Sequence, residues 1–456
     1  MNDNPQVQNS EPGEHSQFGL LTNRRFCPLF ITQFFGAFND NLFKNALVVL
    51  LTFQAASWTT LKPEVLTNIA AGLFILPFFL FSATAGQLAD KFDKARLARY
   101  TKLLEIAIVL LAALGFVLKS LPLLLGVLFL MGLQSTLFGP VKYAILPQHL
   151  APHELVGGNA LVEAGTYVAI LLGTLAGNLL AGTSGGTVWI SIVALAVAVT
   201  GYLASRGIPV APAPAPNLKV NPNILIETWR CINFAREKRS VFLSILGISW
   251  FWLYGSLFLA QFPVYTKVVL SGGESMVTLL LAVFSIGIGS GSLLCEKLSR
   301  HKLELGLVPF GALGMTLFGF DLAGVSPTHA GLGAPLPVIA LLADPAIWRI
   351  LVDLLLLGMC GGIYCVPLYA LVQQRSNPAC RARAIAANNI LNSLFMVAGA
   401  IFAALLLTHG GNIPLLFMIV AGVNVLVAIY IFTLVPEFLI RALVKLGLRA
   451  EQTPVP

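Results

Sequence analysis

The sequence predicts an all-α membrane protein of about twelve transmembrane helices in two six-helix pseudo-repeats, and three observations predict it. Only 11% of the residues are charged and 57% are hydrophobic, with a mean hydropathy of +0.83, whereas soluble domains carry roughly 25% charge. Apolar runs long enough to cross a bilayer, which takes roughly 20 residues, recur at 26–54, 65–89, 95–118, 121–145, 158–182, 187–206, 240–266, 274–298, 302–323, 347–373, 384–408 and 411–435. With the N-terminus inside, 22 of the 28 Lys and Arg count to the cytoplasmic side, helix ends included; Lys62, Lys119, Lys267 and Arg349 fall on the outer side, and Lys44 and Lys142 count to the spans. That asymmetry is the one the positive-inside rule requires. It also accounts for the net charge of +8, which in a soluble chain would suggest nucleic acid; no such partner is expected here.

Residues 1–25 form a polar tail with Asp3, Glu11 and Glu14 and without the basic start and cleavage site of a secretory signal, so this end is expected to stay cytoplasmic. Residues 26–206 hold the first six spans. The connection 207–239 opens with GIPVAPAPAPN, which reads as a polyproline-type spacer without packed structure. From Asn221-Pro222 through Arg236 a helix is expected, with Leu225, Trp229, Ile232 and Ala235 on one side and Glu227, Arg230 and Arg236 on the other. Such a helix belongs in the cytoplasmic membrane interface. Residues 240–435 hold the second six spans, and 436–456 form an amphipathic tail, which puts both termini in the cytoplasm. The Gly/Pro-rich stretch Ala323–Pro345 receives no role. Cys27, Cys231, Cys295, Cys360, Cys365 and Cys380 show neither an extracellular framework nor metal-ligand spacing, so no disulfide, metal or other cofactor is expected.

The first span carries the chemistry. Its middle, QFFGAFNDNLFKN (33–45), places Asn39, Asp40, Asn41, Lys44 and Asn45 where hydrocarbon would surround them. A charge at mid-bilayer costs on the order of 2.5–3.5 kcal/mol, so these groups need partners or water. Asp40 and Lys44 are four residues apart and are expected to pair on one helix face. With Gln33, Gly36, Ala37, Asn41 and Asn45 they make a polar stripe, while Phe34, Phe38, Leu42, Val48 and Val49 lie off it. The stripe reads as the first wall of a substrate pathway. Its bland counterpart is a polar clasp that only locks helices together.

Further motifs follow in order. GQLADKFDKARLAR (86–99) resembles the loop signature of the major facilitator superfamily, with Gly86, Leu88, Ala89, Asp90, Lys91, Lys94 and Arg96 in place. Its small residues are expected to let spans two and three approach, and Asp90 to accept hydrogen bonds from a helix N-terminus. By resemblance it is a gating and folding element and not a substrate site; its bland counterpart is a generic basic cytoplasmic turn. Its counterpart in the second half is SLLCEKLSRHKLE (292–304), and FGPVKYAILPQ (138–148) parallels CVPLYALVQQ (365–374), as Asn159…Glu163 parallels Asn388…Asn392. Three matches in one order argue for an internal repeat, which places a binding site at the repeat interface. Gly165, Ala169, Gly173, Gly177 and Ala181 form a small-residue ridge expected at the interface between the halves. Lys142 either snorkels to the membrane surface or faces inward toward Glu163 or a lipid phosphate. Glu105 reads as a structural partner of Lys102 or Arg99. Asp353 is the second-half acid expected to see the cavity, unless Arg349 pairs with it. Trp250, Phe251, Trp252 and Tyr254 read as packing or as a grip on an acyl chain.

Together, QFFGAFNDNLFKNAL, GQLADKFDKARLARYTKLLE, FGPVKYAILPQ, GNALVEAGTYVAILLGTLAG and GGIYCVPLYALVQQR…AIAANNILNS resemble the bacterial lysophospholipid transporter branch of the major facilitator superfamily, over nearly the whole membrane region. The resemblance implies the major facilitator fold and facilitated flipping of lysophospholipid, chiefly 2-acyl-glycerophosphoethanolamine. The movement would run across the bacterial inner membrane toward a cytoplasmic acyltransferase or acyl-ACP synthetase. It carries Asp40, Lys142 and Glu163 over as candidates for headgroup contact or gating. Span seven lacks the arginine that stand-alone members can carry, so no ion pair is transferred there. The tail PEFLIRALVKLGLR resembles the junction in relatives fused to an acyltransferase. The rival transporter reading is proton-coupled efflux of drugs or small amphiphiles, with Asp40 or Glu163 titrating. An acyltransferase needs an Asp five residues after a His, and none of His15, His149, His153, His301, His329 or His409 has one, so a transporter is expected rather than an enzyme.

Overall fold

The computed structural model describes residues 16–53, 63–300, 302–326 and 335–448. Residues 1–15 of the tail, Lys62, His301, residues 327–334 of the Gly/Pro-rich stretch and the last eight residues lie outside them. The first half comprises α1 (Cys27–Phe53), α2 (Pro63–Lys91), α3 (Lys94–Val117), α4 (Leu121–His149), α5 (Leu155–Ala181) and α6 (Gly186–Arg206). The linker helix α7 (Ile224–Arg236) leads into α8 (Arg239–Val268), α9 (Glu274–Ser299), α10 (Leu307–Val325), the short α11 (Val338–Leu341), α12 (Pro345–Arg375), α13 (Arg381–Thr408), α14 (Ile413–Leu434) and the tail helix α15 (Glu437–Lys445). Among the described residues eleven helices are long and apolar enough to cross a membrane. The twelfth is α1, which has the length at 27 residues but dilutes its hydropathy with the polar stripe.

Pairing within each half follows one pattern. In the first half α1 packs on α5, α2 on α4 and α3 on α6; in the second α8 packs on α13, α9 on α12 and α10 on α14. Numbering each half from one, these are the same three pairs. The halves then meet through α2 against α13 and α5 against α9, two contacts exchanged by the same pseudo-symmetry. Repeats related in this way leave a site between them, near mid-membrane.

The small residues of α5 work inside the first half. A side chain at Gly173 would meet the Phe38 carbonyl carbon at 3.1 Å and Asn41 Cβ at 3.2 Å, and one at Gly177 would meet the Ala46 nitrogen at 3.1 Å. The ridge therefore brings α5 onto α1, and the expectation that it lines the interface between halves is corrected. The close approach made by the GQLADK segment likewise joins the halves rather than α2 and α3. At Gly86 a Cβ would stand 2.7 Å from Ala386 Cβ and 3.0 Å from Arg383 Cα, both on α13.

Three peripheral segments are better packed than their composition suggests. The start of the proline-rich connection buries Ile208 and Ala211, with Lys94 N donating to the Ala211 carbonyl (3.0 Å), Ala211 N to Asp93 Oδ2 (2.9 Å) and Ala215 N to the Asp90 carbonyl (3.0 Å). Proline removes donors but leaves carbonyls and the intervening alanine amides free to bond, so this is a strap across the α2–α3 turn and not a loose spacer. Residues Gln17–Thr22 form a 3-10 turn whose Gln17 Nε2 donates to the Leu293 carbonyl (3.0 Å). In α15, Glu437 receives both Arg375 guanidinium nitrogens at 2.8 Å, and Phe438 and Ala442 are buried.

Candidate functional site

A cavity of about 300 Å³ lies between the halves. Six residues of the α1 stripe line it: Gln33, Gly36, Ala37, Asp40, Asn41 and Lys44. The seventh, Asn45, turns aside and donates to Thr174 Oγ1 (3.0 Å), tying α1 to α5. The rest of the first-half wall comes from Lys102 of α3, Gln134, Ser135, Phe138, Gly139, Lys142 and Tyr143 of α4, Thr166 and Ile170 of α5, and Phe74, Ile75 and Phe78 of α2. The second half supplies Trp252, Tyr369, Asn389, Asn392, Ser393 and Met396, none of them charged.

The expected Asp40–Lys44 ion pair is absent. Ser135 Oγ donates to Asp40 Oδ2 instead, and Asp40 Oδ1 is buried without a partner. Lys44 Nζ donates to Asn41 Oδ1 (3.0 Å) and stands over the Phe74 ring, 5.4 Å from its centroid. Each charge thus has a neutral neighbour and keeps capacity for a ligand. Lys142 faces inward, its Nζ 4.5 Å from the Tyr143 ring centroid, so the snorkelling alternative is ruled out.

Behind this surface lies a cluster that sequence reading assigned only to structure. Lys102 Nζ donates to Glu105 Oε2 (2.6 Å), Asn39 Nδ2 to Glu105 Oε1 (2.9 Å) and Gln134 Nε2 to Glu105 Oε2 (3.3 Å), all buried. Lys102, one of the cations counted to the cytoplasmic side, sits inside the bundle and reaches the cavity beside Gly36, where a Cβ would stand 2.7 Å from Nζ. The signal was available in the Lys102–Glu105 spacing, an i,i+3 pair running into an apolar span.

At one end the cavity has a floor. Tyr143 of α4 and Tyr369 of α12 stack across the seam, centroids 4.5 Å apart and planes within 6°. They occupy equivalent places in the FGPVKYAIL and CVPLYALV repeats. Trp252 Nε1 donates to the Tyr369 hydroxyl (3.0 Å), and Tyr143 donates to Glu163 Oε1 (2.5 Å). Glu163 lies behind the floor, 1% exposed, with Oε2 unpartnered. One turn nearer the helix start, Asn159 and Gln373 exchange amide hydrogen bonds (2.8 and 2.9 Å) between the halves. Asn159 is therefore part of the closure and not of the cavity wall.

Below the floor the loop motif locks the same end. Asp90 accepts from Ala382 N (3.1 Å), Arg383 N (3.3 Å) and Arg383 Nε (2.9 Å), the first turn of α13, as its expected role at a helix N-terminus requires. Its repeat counterpart Glu296 lies at the first turn of α5, where a Cβ on Gly157 would meet Glu296 Cγ at 3.3 Å. Lys91 rests over Phe92 (5.5 Å), and Arg96 N is capped by Asp93 Oδ1 (2.8 Å). Among the described residues the hydrogen bonds between the halves all lie at this latch end. Asp353 is corrected: it is buried (3% exposed) early in α12 and does not line the cavity, while Arg349 takes Asp321 on α10 (Nε–Oδ2 3.0 Å). The aromatic cluster of α8 divides, with Trp252 in the cavity wall, Trp250 bonded to Asn424 (2.7 Å) and Tyr254 to the Met315 carbonyl (3.0 Å). Among the described residues no His, Cys, Asp or Glu cluster could hold a metal ion.

Comparison with known proteins agrees with this architecture. The sequence model of the Major Facilitator Superfamily matches residues 29–342. The lysophospholipid transporter LplT of Salmonella typhi is 31% identical over 365 residues, covering 79% of this chain and 82% of that protein. That of Serratia proteamaculans is 28% identical over 378 residues, covering 81% and 85%. Among solved structures, the human organic anion transporter MFSD10 superposes with a TM-score of 0.72 at 14% identity over 90% of this chain and 99% of that one. The FucP transporter in its outward conformation gives 0.67 at 13% identity, over 90% and 98%; at such identities the likeness is one of fold. This multi-pass membrane chain is a transporter and not an enzyme, and it belongs to the major facilitator superfamily, in the branch that the lysophospholipid transporters represent.

Proposed function

We propose that the chain flips lysophospholipid, 2-acyl-glycerophosphoethanolamine foremost, across the bacterial inner membrane toward cytoplasmic reacylation. The observation that carries this is the two-sided cavity, in which three lysines and Asp40 face a neutral wall of amides and aromatics. At about 300 Å³ it is at the small end of ligand sites. It suits a glycerophosphate headgroup, while a long acyl chain would stay outside along the α2/α13 seam, beside Phe74, Ile75, Phe78 and Met396. Lys142 and Lys44 take the phosphate, since charge-assisted bonds to phosphate are the strong ones. Asp40 takes the ammonium through its free oxygen, and Asn389 and Asn392 take the glycerol hydroxyl and ester.

In this reading the latch end is the cytoplasmic one, with Gln17–Thr22 and α15 beside it, and the cavity loads from the outer leaflet. Asp90, Arg383, Asn159 and Gln373 part as the halves rock, with Gly86, Lys91 and Arg96 in the gating loop. A cytoplasmic acyltransferase or acyl-ACP synthetase consumes the delivered lipid. Proteoliposomes with equal amounts of protein test this. Asp40→Asn and Lys142→Ala should each slow lysophospholipid uptake, and unaltered uptake in both removes the headgroup role. A second reading, proton-coupled export of small amphiphiles, is favoured by the unpartnered buried oxygens of Asp40 and Glu163. Uptake that followed an imposed proton gradient and ignored lysolipid would select it.

A further inference from the structure

Helix α7 does not cross the bilayer, yet it packs against α2 of the first half and against α13 and α8 of the second. Its inner face reaches the latch directly. Phe234 lies under the Arg383 guanidinium, 4.4 Å from the ring centroid, and Arg383 Nε holds Asp90 Oδ2 at 2.9 Å. Ahead of the helix, Asn221 N donates to Gln87 Oε1 (2.7 Å) and Gln87 Nε2 to the Asn221 carbonyl (3.1 Å), so the other end of the segment is fastened to α2. Glu227 and Cys231 are buried beneath it.

The outer face has the opposite character. Leu225, Ile226 and Trp229 are 78%, 48% and 60% exposed. Arg230 and Arg236 are exposed on the same helix, and Lys219, Lys238 and Arg239 on the chain beside it. Glu227 is turned inward and accepts from Arg230 Nη1 at 3.5 Å, and Glu237 is the other acid among these cations. An apolar stripe set among basic residues, on a helix packed against a membrane-embedded bundle, matches an anionic lipid surface: the stripe enters the acyl boundary and the cations meet phosphates.

We propose that α7 is a lipid-seated brace. Its outer face docks on the anionic phospholipid of the leaflet at the latch end, and the docked helix holds α2 and α13 together through Asn221–Gln87 and Phe234–Arg383–Asp90. Opening that end requires α2 and α13 to separate, so α7 must leave one of them. By linkage, whatever stabilises the docked helix stabilises the closed latch by the same free energy. Leaflet composition thereby sets how readily the transporter opens on that side, whatever its cargo.

Hydrogen–deuterium exchange of the full chain in nanodiscs tests this, comparing phosphatidylcholine alone with a mixture containing phosphatidylglycerol. In the wild type, phosphatidylglycerol should slow exchange in both 224–236 and 381–387 by roughly fivefold, the effect of one basic residue held at an anionic surface. The double variant Leu225→Gln/Trp229→Gln should lose the response in both segments, with α12 exchanging as in the wild type as the check on folding. Should that variant lose α12 protection, Arg230→Gln/Arg236→Gln takes its place with the same expectation. Phe234→Leu should keep the response in α7 and lose it in 381–387. Wild-type exchange indifferent to phosphatidylglycerol overturns lipid as the occupant of this face, in favour of a protein partner or none. A Phe234→Leu variant that still transmits the response to 381–387 overturns the brace.

Discussion

The two halves share one pattern of helix pairing but present unlike walls to the cavity between them. The first half brings Asp40, Lys44, Lys102 and Lys142; the second brings Trp252, Tyr369, Asn389, Asn392, Ser393 and Met396. The repeat fixes where helices go and leaves the chemistry of each wall free to diverge. Buried charge is costly, and concentrating it on one wall lets a single network support it. A neutral wall can slide past a charged ligand without breaking ion pairs.

The largest expected effect falls on the network behind the charged wall. Glu105 accepts from Lys102, Asn39 and Gln134 with all four groups buried. Breaking a buried pair by removing one partner costs about 3–5 kcal/mol, so Glu105→Ala should lower the thermal midpoint in detergent sharply. Ser393→Ala on the opposite wall should barely move it. Equal midpoints for the two variants would mean that the walls are energetically alike.

Next come the side chains that face the cavity. Losing a hydrogen bond to a charged group costs about 1.5–3 kcal/mol and losing a neutral one about 0.5–1.5 kcal/mol. Lys142→Ala should therefore reduce lysophospholipid uptake by about tenfold or more, and Asn392→Ala by a few-fold, on the same scale. If Asn392→Ala proves the more damaging, the neutral wall supplies the specificity and the charged wall only the attraction.

The repeat also separates two asparagines. Asn159 is fully satisfied by Gln373 and its own helix, whereas its counterpart Asn388 is buried with both side-chain atoms unpartnered. Where the second half offers Gln373, the first half has Pro147 at the equivalent place, which has no side-chain amide to offer. An unsatisfied buried polar group costs about 1–3 kcal/mol. Asn159→Ala should then destabilise the protein by about that amount, because Gln373 is orphaned, while Asn388→Leu should be neutral or stabilising. Thermal denaturation reads both, and destabilisation by Asn388→Leu would reveal a partner for that amide.

Span count, the repeat and the inward turn of the α1 stripe were legible in the sequence because each rests on periodicity or composition summed over many residues. Pairing was not. Asp40 lies four residues from Lys44, but Ser135 arrives from α4 to take it, and nothing local announces a hydroxyl on another helix. Asn45 and Asp353 fell out of the cavity for the same reason, since small rotations about the helix axis decide which neighbour a polar group meets. The α5 ridge was correctly read as a close contact and assigned to the wrong neighbour. The tyrosine floor could have been found, because FGPVKYAIL and CVPLYALV align the two rings.

At the periphery the halves become alike again, each holding an outlying segment with an Arg–carboxylate fork. Arg25, just before α1, binds Glu154, and Arg375 at the end of α12 binds Glu437 of α15. The Arg375 hydrogen bonds, with help from its charge and from Arg441, hold the Glu437 carboxyl below the usual carboxylate range despite partial burial. The sign follows. A folded-state pKa below the unfolded value, near 4.3 for Glu, means that the contribution is complete above that value and disappears as the pH falls through the folded pKa. The fork is partly exposed, so screening keeps its worth under about 1 kcal/mol. Exchange in 437–445, corrected for the intrinsic pH dependence, should therefore be protected at neutral pH and modestly less so below about pH 4. Glu437→Gln should show the weaker protection at both values. Identical protection of the wild type across that range would mean that α15 is held by Phe438, Ala442 and the Lys445 bond to the Leu298 carbonyl, and that the fork contributes nothing.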